Sequence, residues 1–225
     1  MPDDDAGPGR RRVAHVVDDD AAVRRSLALL LRSAGFSVRA YESGEAFLEA
    51  AEAAAPDGGL PFGCVLLDLR MPGLDGLAVQ REMAARGLGL PVVVVTAHGD
   101  VPLAVQAMRA GASDFIEKPY GGDAIIQAAE AALARGDEDR ARAREAAEAA
   151  ARVAALTPRE ADVLRGLLAG RQNKVIARDL GISPRTVEIH RANLMDKLGV
   201  RSLSEALRTA LAAGFAPPPL GEKHS

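Results

Sequence analysis

Five short apolar runs, separated by amphipathic stretches, constrain the fold of this chain more than any other feature. The stretches between the runs space their apolar residues three and four apart, as helices do. Near-continuous apolar strands are buried on both faces, so the pattern predicts a five-stranded parallel sheet flanked by helices, a doubly wound α/β domain. The runs are Val13 to Val17, Phe36 to Ala40, Cys64 to Leu67, Val92 to Val95 and Phe115 to Ile116.

Polar side chains stand where these predicted strands end. Asp18 and Asp19 follow the first strand, Asp68 ends the third, Thr96 ends the fourth, and Lys118 follows the fifth. In a doubly wound sheet, binding sites lie beyond the carboxyl ends of the strands. We therefore expect three carboxylates, a hydroxyl and an ammonium group to meet at one edge of the sheet, although they are far apart in the sequence.

Three carboxylates that lie close together repel one another unless a cation sits between them. Hard oxygen ligands in an incomplete cage suit Mg²⁺, which keeps some of its waters. We predict Asp19 and Asp68 as direct ligands and the backbone carbonyl of Arg70 as a third. Asp18 is predicted to hold a metal-bound water.

Asp68 is also the predicted nucleophile, because a carboxylate can attack phosphorus and form an aspartyl phosphate. Its negative charge would repel the phosphoryl group, so we predict catalytic roles for Lys118, as a neutralising charge, and Thr96, as a hydrogen-bond donor. Taken alone, Asp68 would more readily be explained as a turn or helix-capping residue. A hydrolase of the haloacid dehalogenase kind is a second alternative, but it requires another aspartate where this chain has Arg70.

Other titratable residues near this edge have simpler interpretations. Asp20 is expected to cap the helix that begins near Ala21. His15, inside a strand, is expected to be structural, and His98 is either a polar loop residue or a modulator of dephosphorylation.

Four helical patterns follow Ala155, and each has its own start signal. The middle two, between Asn173 and Leu198, flank a short turn at Gly181 to Pro184, which is the arrangement of a helix-turn-helix. The sequence therefore predicts a second, all-α domain of four helices. The signals are capping boxes at Thr157 with Glu160 and Ser202 with Glu205, prolines at Pro158 and Pro184, and closing glycines at Gly170, Gly181 and Gly199.

The solvent-facing strip of the second of these two helices is the predicted DNA-binding surface. The start of the helix would present its N–H groups and basic side chains to phosphates. Glu188 could accept from cytosine, and Ile189 or Ala192 could touch a thymine methyl. From spacing alone, a helical bundle that binds a protein through a charged face is the alternative. The predicted contacts are Lys174, Arg185, Thr186, Glu188, Ile189, Arg191 and Ala192.

Composition divides the chain in the same way. From Thr157 to the end there are 11 Lys and Arg against 7 Asp and Glu, whereas the preceding part has 17 against 24. Cys64 is the only cysteine, so a reducing cytoplasm is expected, and no apolar stretch approaches the ~20 residues of a membrane span. We predict an untargeted tail at 1–11, an α/β domain at 12–130, a helical linker at 131–154 with Gly136 as a candidate interruption, a helix-turn-helix domain at 155–216, and a tail at 217–225.

Four segments resemble the receiver domain of two-component response regulators, over about residues 12 to 130. They are Val16 to Asp19, Leu67 to Gly73, Val95 to Ala97 and Glu117 to Pro119. The resemblance implies a flavodoxin-like fold, phosphate transfer from a sensor histidine kinase, and Thr96 and Phe115 as moving switch residues. A plain core position is the alternative for Phe115.

The second domain resembles the LuxR-type DNA-binding domains, and the whole chain resembles the FixJ-like response regulators. The first resemblance lies in Leu156 to Glu160, Asn173 to Ala177, Ile182 to Val187 and Lys197 to Val200, and the second adds Thr96 to Val105 and Lys118 to Tyr120.

The resemblance to FixJ-like regulators implies a homodimer on phosphorylation, formed through the fourth receiver helix and fifth strand. It further implies promoter DNA and RNA polymerase as partners, and activation of transcription. In the mechanism that we expect, phosphorylation draws Thr96 inward, buries Phe115, reshapes Val101 to Ala110 and releases the receiver from the DNA-binding domain. Glu188 stands where many relatives carry a basic residue, so the target sequence is not implied. A regulator that binds DNA without phosphorylation, using the receiver as a scaffold, is the alternative.

Overall fold

The computed structural model describes residues 12–54, 60–97 and 101–216. It divides into two compact units, and the division falls after Glu138. The two predicted tails, 1–11 and 217–225, and His98 lie outside the described residues.

The first unit contains the predicted parallel sheet, which confirms its fold class. The strand order is β2-β1-β3-β4-β5, and every neighbouring pair is parallel. The central strands are buried almost throughout, whereas the edge strands β2 and β5 consist of exposed and half-buried residues, because each has a neighbour on one side only. The strands are β1 (Val13–Val17), β2 (Ser37–Tyr41), β3 (Cys64–Asp68), β4 (Val92–Ala97) and β5 (Asp114–Lys118).

Five helices cover the two faces of this sheet. α1 and α5 bury one apolar cluster against it, and α2, α3 and α4 bury the other. Phe36, predicted as the first residue of the second strand, precedes β2 and is buried in the core. The helices are α1 (Ala21–Ser33), α2 (Gly44–Ala53), α3 (Gly76–Ala85), α4 (Val101–Arg109) and α5 (Gly122–Ala154).

The expected interruption of the last of these helices at Gly136 is wrong. α5 is continuous over 33 residues. A Cβ atom at Gly136 would lie 2.9 Å from side-chain atoms of both Phe62 and Pro91. The glycine therefore permits close packing of α5 against these two side chains rather than a break.

The second unit contains the four predicted helices around one apolar cluster. They are α6 (Pro158–Leu168), α7 (Asn173–Leu180), α8 (Pro184–Leu198) and α9 (Leu203–Ala212). The capping box of Thr157 and Glu160 is confirmed in full. That of Ser202 and Glu205 differs, because the Glu205 carboxylate accepts the N–H of Arg201 at 2.9 Å. Among the described helices, none combines the length and apolarity that crossing a membrane requires.

Candidate functional site

The structure brings the three predicted carboxylates together at the carboxyl ends of β1 and β3, which are neighbouring strands. Ligand oxygens of Asp18, Asp19 and Asp68 all lie within 4.8 Å of one another. Asp18 and Asp68 are buried, and Asp19 is exposed. A pocket of this kind, open on one side and lined by oxygen ligands, is consistent with a divalent cation.

Lys118, the last residue of β5, reaches the same pocket from the edge of the sheet. Its Nζ donates to Asp18 Oδ2 at 2.8 Å and lies 3.5 Å from Asp68 Oδ1. Thr96 is buried near the end of β4, the strand that lies between β3 and β5. The four strand ends thus gather the side-chain types that the sequence predicts.

Burial dominates the electrostatics of the central carboxylate. Asp68 is only 7% exposed, and burial raises its pKa to about 6, with the charges of Asp18 and Asp19 adding to the rise and Lys118 opposing it. Burial also acts to lower the pKa of Lys118, but its hydrogen bond to Asp18 and the nearby carboxylates raise it overall. Ionised Asp68 is therefore costly in the metal-free protein, and a cation would relieve that cost.

The loop between β1 and α1 is held by two residues. Asp20 caps α1, as predicted, by accepting the N–H groups of Ala22 and Val23, and these hydrogen bonds lower its pKa. Sequence reasoning missed Arg24, whose Nη1 donates to the carbonyl oxygens of Asp18 and Asp19 at 2.7 and 2.8 Å. The only sequence signal for this contact is its position one helical turn after the cap.

The loop between β3 and α3, which carries Arg70, is held by a residue of α2 that sequence reasoning also missed. The Glu45 carboxylate accepts the N–H of Leu74 at 2.7 Å, and the hydrogen bonds from its own backbone N–H and from that of Leu74 lower its pKa. Gly73, beside it, has a φ of 76°, a conformation that favours glycine. An open depression of about 580 Å³ adjoins this loop and is lined by Leu69, Arg70, Met71, Pro72, Asp75 and Leu103.

A larger groove lies away from the acidic pocket. It measures about 750 Å³ and is bordered by Val13 and Ser37, the first residues of β1 and β2. These are the amino ends of the strands, opposite the edge that carries the carboxylates. Because none of the three carboxylates lines it, the groove is not the predicted site.

Two further predictions concern aromatic and histidine side chains. His15 is fully buried, with its Nε2 atom 3.0 Å from the Pro61 carbonyl oxygen, and burial lowers its pKa, which confirms a structural role. Phe115 is 43% exposed on β5, so the alternative of a plain core position is wrong.

The predicted DNA-binding residues divide into two groups. Five are exposed, including the large apolar side chain of Ile189, and the other two are half-buried and hydrogen-bonded. Thr186 Oγ1 lies 2.8 Å from Ser183 Oγ, and Arg191 Nη1 donates to Asn173 Oδ1 at 2.8 Å. Arg191 thereby connects α8 to α7, whereas Thr186 contacts the capping residue of its own helix. The exposed five are Lys174, Arg185, Glu188, Ile189 and Ala192.

An ion pair between α6 and α8, in which Glu160 is buried and Lys197 is exposed, was not predicted. Glu160 accepts the N–H of Thr157 at 2.8 Å and the Nζ of Lys197 at 2.7 Å. The hydrogen bond from Lys197 lowers the pKa of Glu160. The capping residue of α6 thereby also fixes the C-terminal turn of α8, and the sequence showed only its capping role.

Two family models match the chain over most of its length. The response regulator receiver domain matches residues 14–130, and the family described as bacterial regulatory proteins, luxR family, matches residues 154–210.

Relatives match across both parts. The transcriptional regulatory protein FixJ of Bradyrhizobium diazoefficiens is 48% identical over 201 residues, which is 89% of this chain and 95% of that protein. FixJ of Azorhizobium caulinodans is 50% identical over 205 residues, 90% of this chain and 93% of the relative. Among solved structures, the response regulator StyR has a TM-score of 0.72 at 41% identity and covers 89% of this chain and 98% of its own. Full-length FixJ from B. japonicum has a TM-score of 0.56 at 48% identity, with 92% and 98% covered.

Proposed function

Because the chain belongs to the FixJ-like response regulators, which join a receiver domain to a LuxR-type DNA-binding domain, we propose that its phosphoacceptor is Asp68 and its phosphate donor a sensor histidine kinase. Members of this family are transcription regulators phosphorylated on an aspartate, and they are not enzymes. The observation that carries the proposal is the buried Asp68 carboxylate, flanked by two other carboxylates and by Lys118.

The acidic pocket fits Mg²⁺ as its resident cation, since its donors are carboxylate oxygens of two adjoining strands. Asp19, Asp68 and the carbonyl of Arg70 would hold the ion, and Asp18 would hold one of its waters. When bound, Mg²⁺ supplies positive charge opposite the phosphoryl oxygens. Lys118 is held at the pocket by Asp18 and neutralises charge on the incoming group, while Thr96 donates a hydrogen bond to it.

Dimerisation through α4 and β5 is the proposed consequence of phosphorylation. Val105 and Met108 on α4 and Phe115 on β5 are large apolar side chains that stay exposed. Thr96 and Phe115 would act as the switch, with Phe115 moving from its exposed position into the domain. Two joined DNA-binding domains add their phosphate contacts, so apparent affinity for promoter DNA rises without new base contacts.

The DNA-binding surface of the proposal is the exposed part of α7 and α8. Lys174 and Arg185, with the hydroxyl of Thr186 and with Arg191 if it leaves Asn173, would contact phosphates, and Glu188, Ile189 and Ala192 would contact bases. RNA polymerase is the proposed further partner, and activation the proposed outcome. The domain boundaries at 12–130, 131–154 and 155–216 and the cytoplasmic location stay predictions.

A small-molecule phosphodonor tests the proposed dimerisation. With acetyl phosphate and Mg²⁺, we expect the wild-type protein to acquire label and to shift from monomer to dimer in size-exclusion chromatography. Val105→Glu should acquire label but remain monomeric, because a charge would be buried unpaired in the interface. Leu29→Glu is the matched control, since Leu29 is 74% exposed on α1 and should leave the dimer intact. Dimers of labelled Val105→Glu would contradict the proposed interface through α4 and β5. Promoter binding that ignores phosphorylation would favour the scaffold alternative.

Arg185→Ala is expected to weaken binding to specific and nonspecific DNA by similar factors. Arg185 is exposed in the first turn of α8, and its proposed partner is a phosphate. Removing one phosphate contact should reduce the magnitude of the slope of log K against log salt concentration by about 0.9. Arg208→Ala on α9, also an exposed arginine, is the control. Fluorescence anisotropy at several salt concentrations measures both slopes, and an unchanged slope for Arg185→Ala argues against the phosphate contact.

A further inference from the structure

We propose that Arg24 is a positioning residue for the metal ligand Asp19, and that the Mg²⁺ affinity of the receiver depends on it. The proposal rests on the acidic pocket proposed above as the Mg²⁺ site. Its basis is the pair of hydrogen bonds from one guanidinium nitrogen to two successive carbonyl oxygens.

The three carboxylates of the pocket are held in different ways. Asp18 accepts the N–H of Asp20 on Oδ1 at 2.8 Å and the Nζ of Lys118 on Oδ2 at 2.8 Å. The Oδ1 atom of Asp68 lies 3.5 Å from the same lysine nitrogen. Among the described residues, none donates a hydrogen bond to the carboxylate of Asp19, which is exposed. Its direction therefore depends on the backbone that carries it.

Arg24 holds that backbone on both sides. The carbonyl of Asp18 belongs to the peptide unit before the Cα atom of Asp19, and the carbonyl of Asp19 belongs to the unit after it. Because each peptide unit is planar, fixing the two planes fixes both backbone dihedral angles of Asp19 and the direction of its Cα–Cβ bond. The single nitrogen Nη1 contacts both oxygens, at 2.7 and 2.8 Å.

Arg24 is itself held in place by the helix that carries it. Arg24 lies in the first turn of α1 and is half-buried, and its own N–H donates to the Asp20 carbonyl at 3.0 Å. α1 is packed against the sheet through the buried Leu27 and Leu31. The hydrogen bonds therefore connect the Asp19 loop to an element of the receiver core, which is how outer contacts orient metal ligands.

Charge and positioning predict effects of opposite sign. Arg24 is a cation near the pocket, so a purely electrostatic role would oppose Mg²⁺, and its removal would tighten binding. A positioning role requires that its removal weaken binding. Arg25, the next residue of the same helix, is exposed and carries the same charge without the carbonyl contacts, so it is the matched control.

The test is a Mg²⁺ titration of the full chain by isothermal titration calorimetry, after removal of metals with EDTA. We expect Arg24→Ala to raise the Mg²⁺ Kd about 10-fold, in line with losses of outer contacts at other metal sites, and Arg25→Ala to change it less than about twofold. In phosphorylation by acetyl phosphate, Arg24→Ala should need more Mg²⁺ for half-maximal rate, with the plateau rate nearly that of wild type. A merely structural role would not separate these two quantities.

Circular dichroism in EDTA shows whether each variant is folded. If Arg24→Ala is unfolded, the pair Arg24→Lys and Arg25→Lys decides. Both substitutions keep the charge, and only Arg24→Lys removes the guanidinium nitrogen that contacts the two carbonyl oxygens. Affinities of the Arg24 variants that equal or exceed those of their Arg25 counterparts overturn the assignment. A wild-type chain that binds no Mg²⁺ overturns the metal site as well, which distinguishes the two failures.

Discussion

Asp68→Asn is expected to acquire no label from a phosphodonor and, unusually for a buried substitution, to stabilise the metal-free protein. The loss of label follows because asparagine lacks the carboxylate that attacks phosphorus. The gain in stability follows because the native carboxylate is buried beside two others and has its pKa raised to about 6. Asparagine fills the same space without charge.

The stability difference depends on pH in a defined direction. The Asp68 carboxyl loses its proton near pH 4 in the unfolded chain but near pH 6 in the folded protein, so the unfolding free energy of wild type falls as pH rises between these values. Above pH 6 we expect Asp68→Asn to be more stable by about 1 to 3 kcal/mol in EDTA, and near pH 4 the difference should vanish.

Urea unfolding with and without Mg²⁺ at pH 4 and pH 8 measures these differences. Saturating Mg²⁺ should stabilise the wild type at pH 8 and leave Asp68→Asn little changed, because the ion binds the folded pocket. Asp75→Asn, at the cap of α3, is a control that changes an aspartate outside the pocket. Label on Asp68→Asn would remove the phosphoacceptor assignment, and equal stability at pH 8 would contradict the electrostatic account.

Gly76→Ala is expected to destabilise the receiver by about 3 kcal/mol, near the upper end of the usual cost of adding a methyl group to a packed core. Its Cβ would lie 2.4 Å from the carbonyl oxygen of Asp68 and 2.8 Å from the Cα of Leu69. Both are backbone atoms, so no side chain can turn aside. Relief requires that α3 or the end of β3 move, and β3 carries the proposed phosphoacceptor.

The same variant should therefore also be phosphorylated more slowly by acetyl phosphate at saturating Mg²⁺, under conditions where it is still folded. Gly89→Ala is the matched control, because a Cβ there meets no atom within 4 Å and its φ lies outside the left-handed region. Thermal unfolding and initial labelling rates measure the two effects. A Gly76→Ala protein as stable and as reactive as Gly89→Ala would mean that α3 does not pack on β3 as described.

Much of the fold and of the site was predictable because the signals are local. An apolar run of five residues marks a central strand, and a capping residue with a glutamate three positions later marks the start of α6. The positions of Asp68 and Lys118 followed from the rule that parallel strands end at one edge. The edges of the sheet were less clear, because β2 and β5 are only partly covered and have no continuous run of buried residues.

Other features could not be read from the chain. Gly136 looked like a helix breaker, yet it is the point where α5 passes close to Phe62 and Pro91. Arg24 and Glu45 look like ordinary helix-surface residues, because nothing in the sequence says that their polar ends turn back to neighbouring loops. Lys197 and Glu160 are 37 positions apart, and only the packing of α8 against α6 joins them.

The sequence by itself determined the chemistry of the receiver, namely which carboxylates, hydroxyl and ammonium the strand ends carry, because residue type and strand period are local properties. Only the tertiary structure decided how these groups are held: that Asp68 is buried enough to have its pKa raised to about 6, and that one arginine of α1 holds both peptide units around Asp19. Burial and hydrogen-bond partners depend on what packs around a residue. They are set by distances between distant segments, which no local pattern encodes.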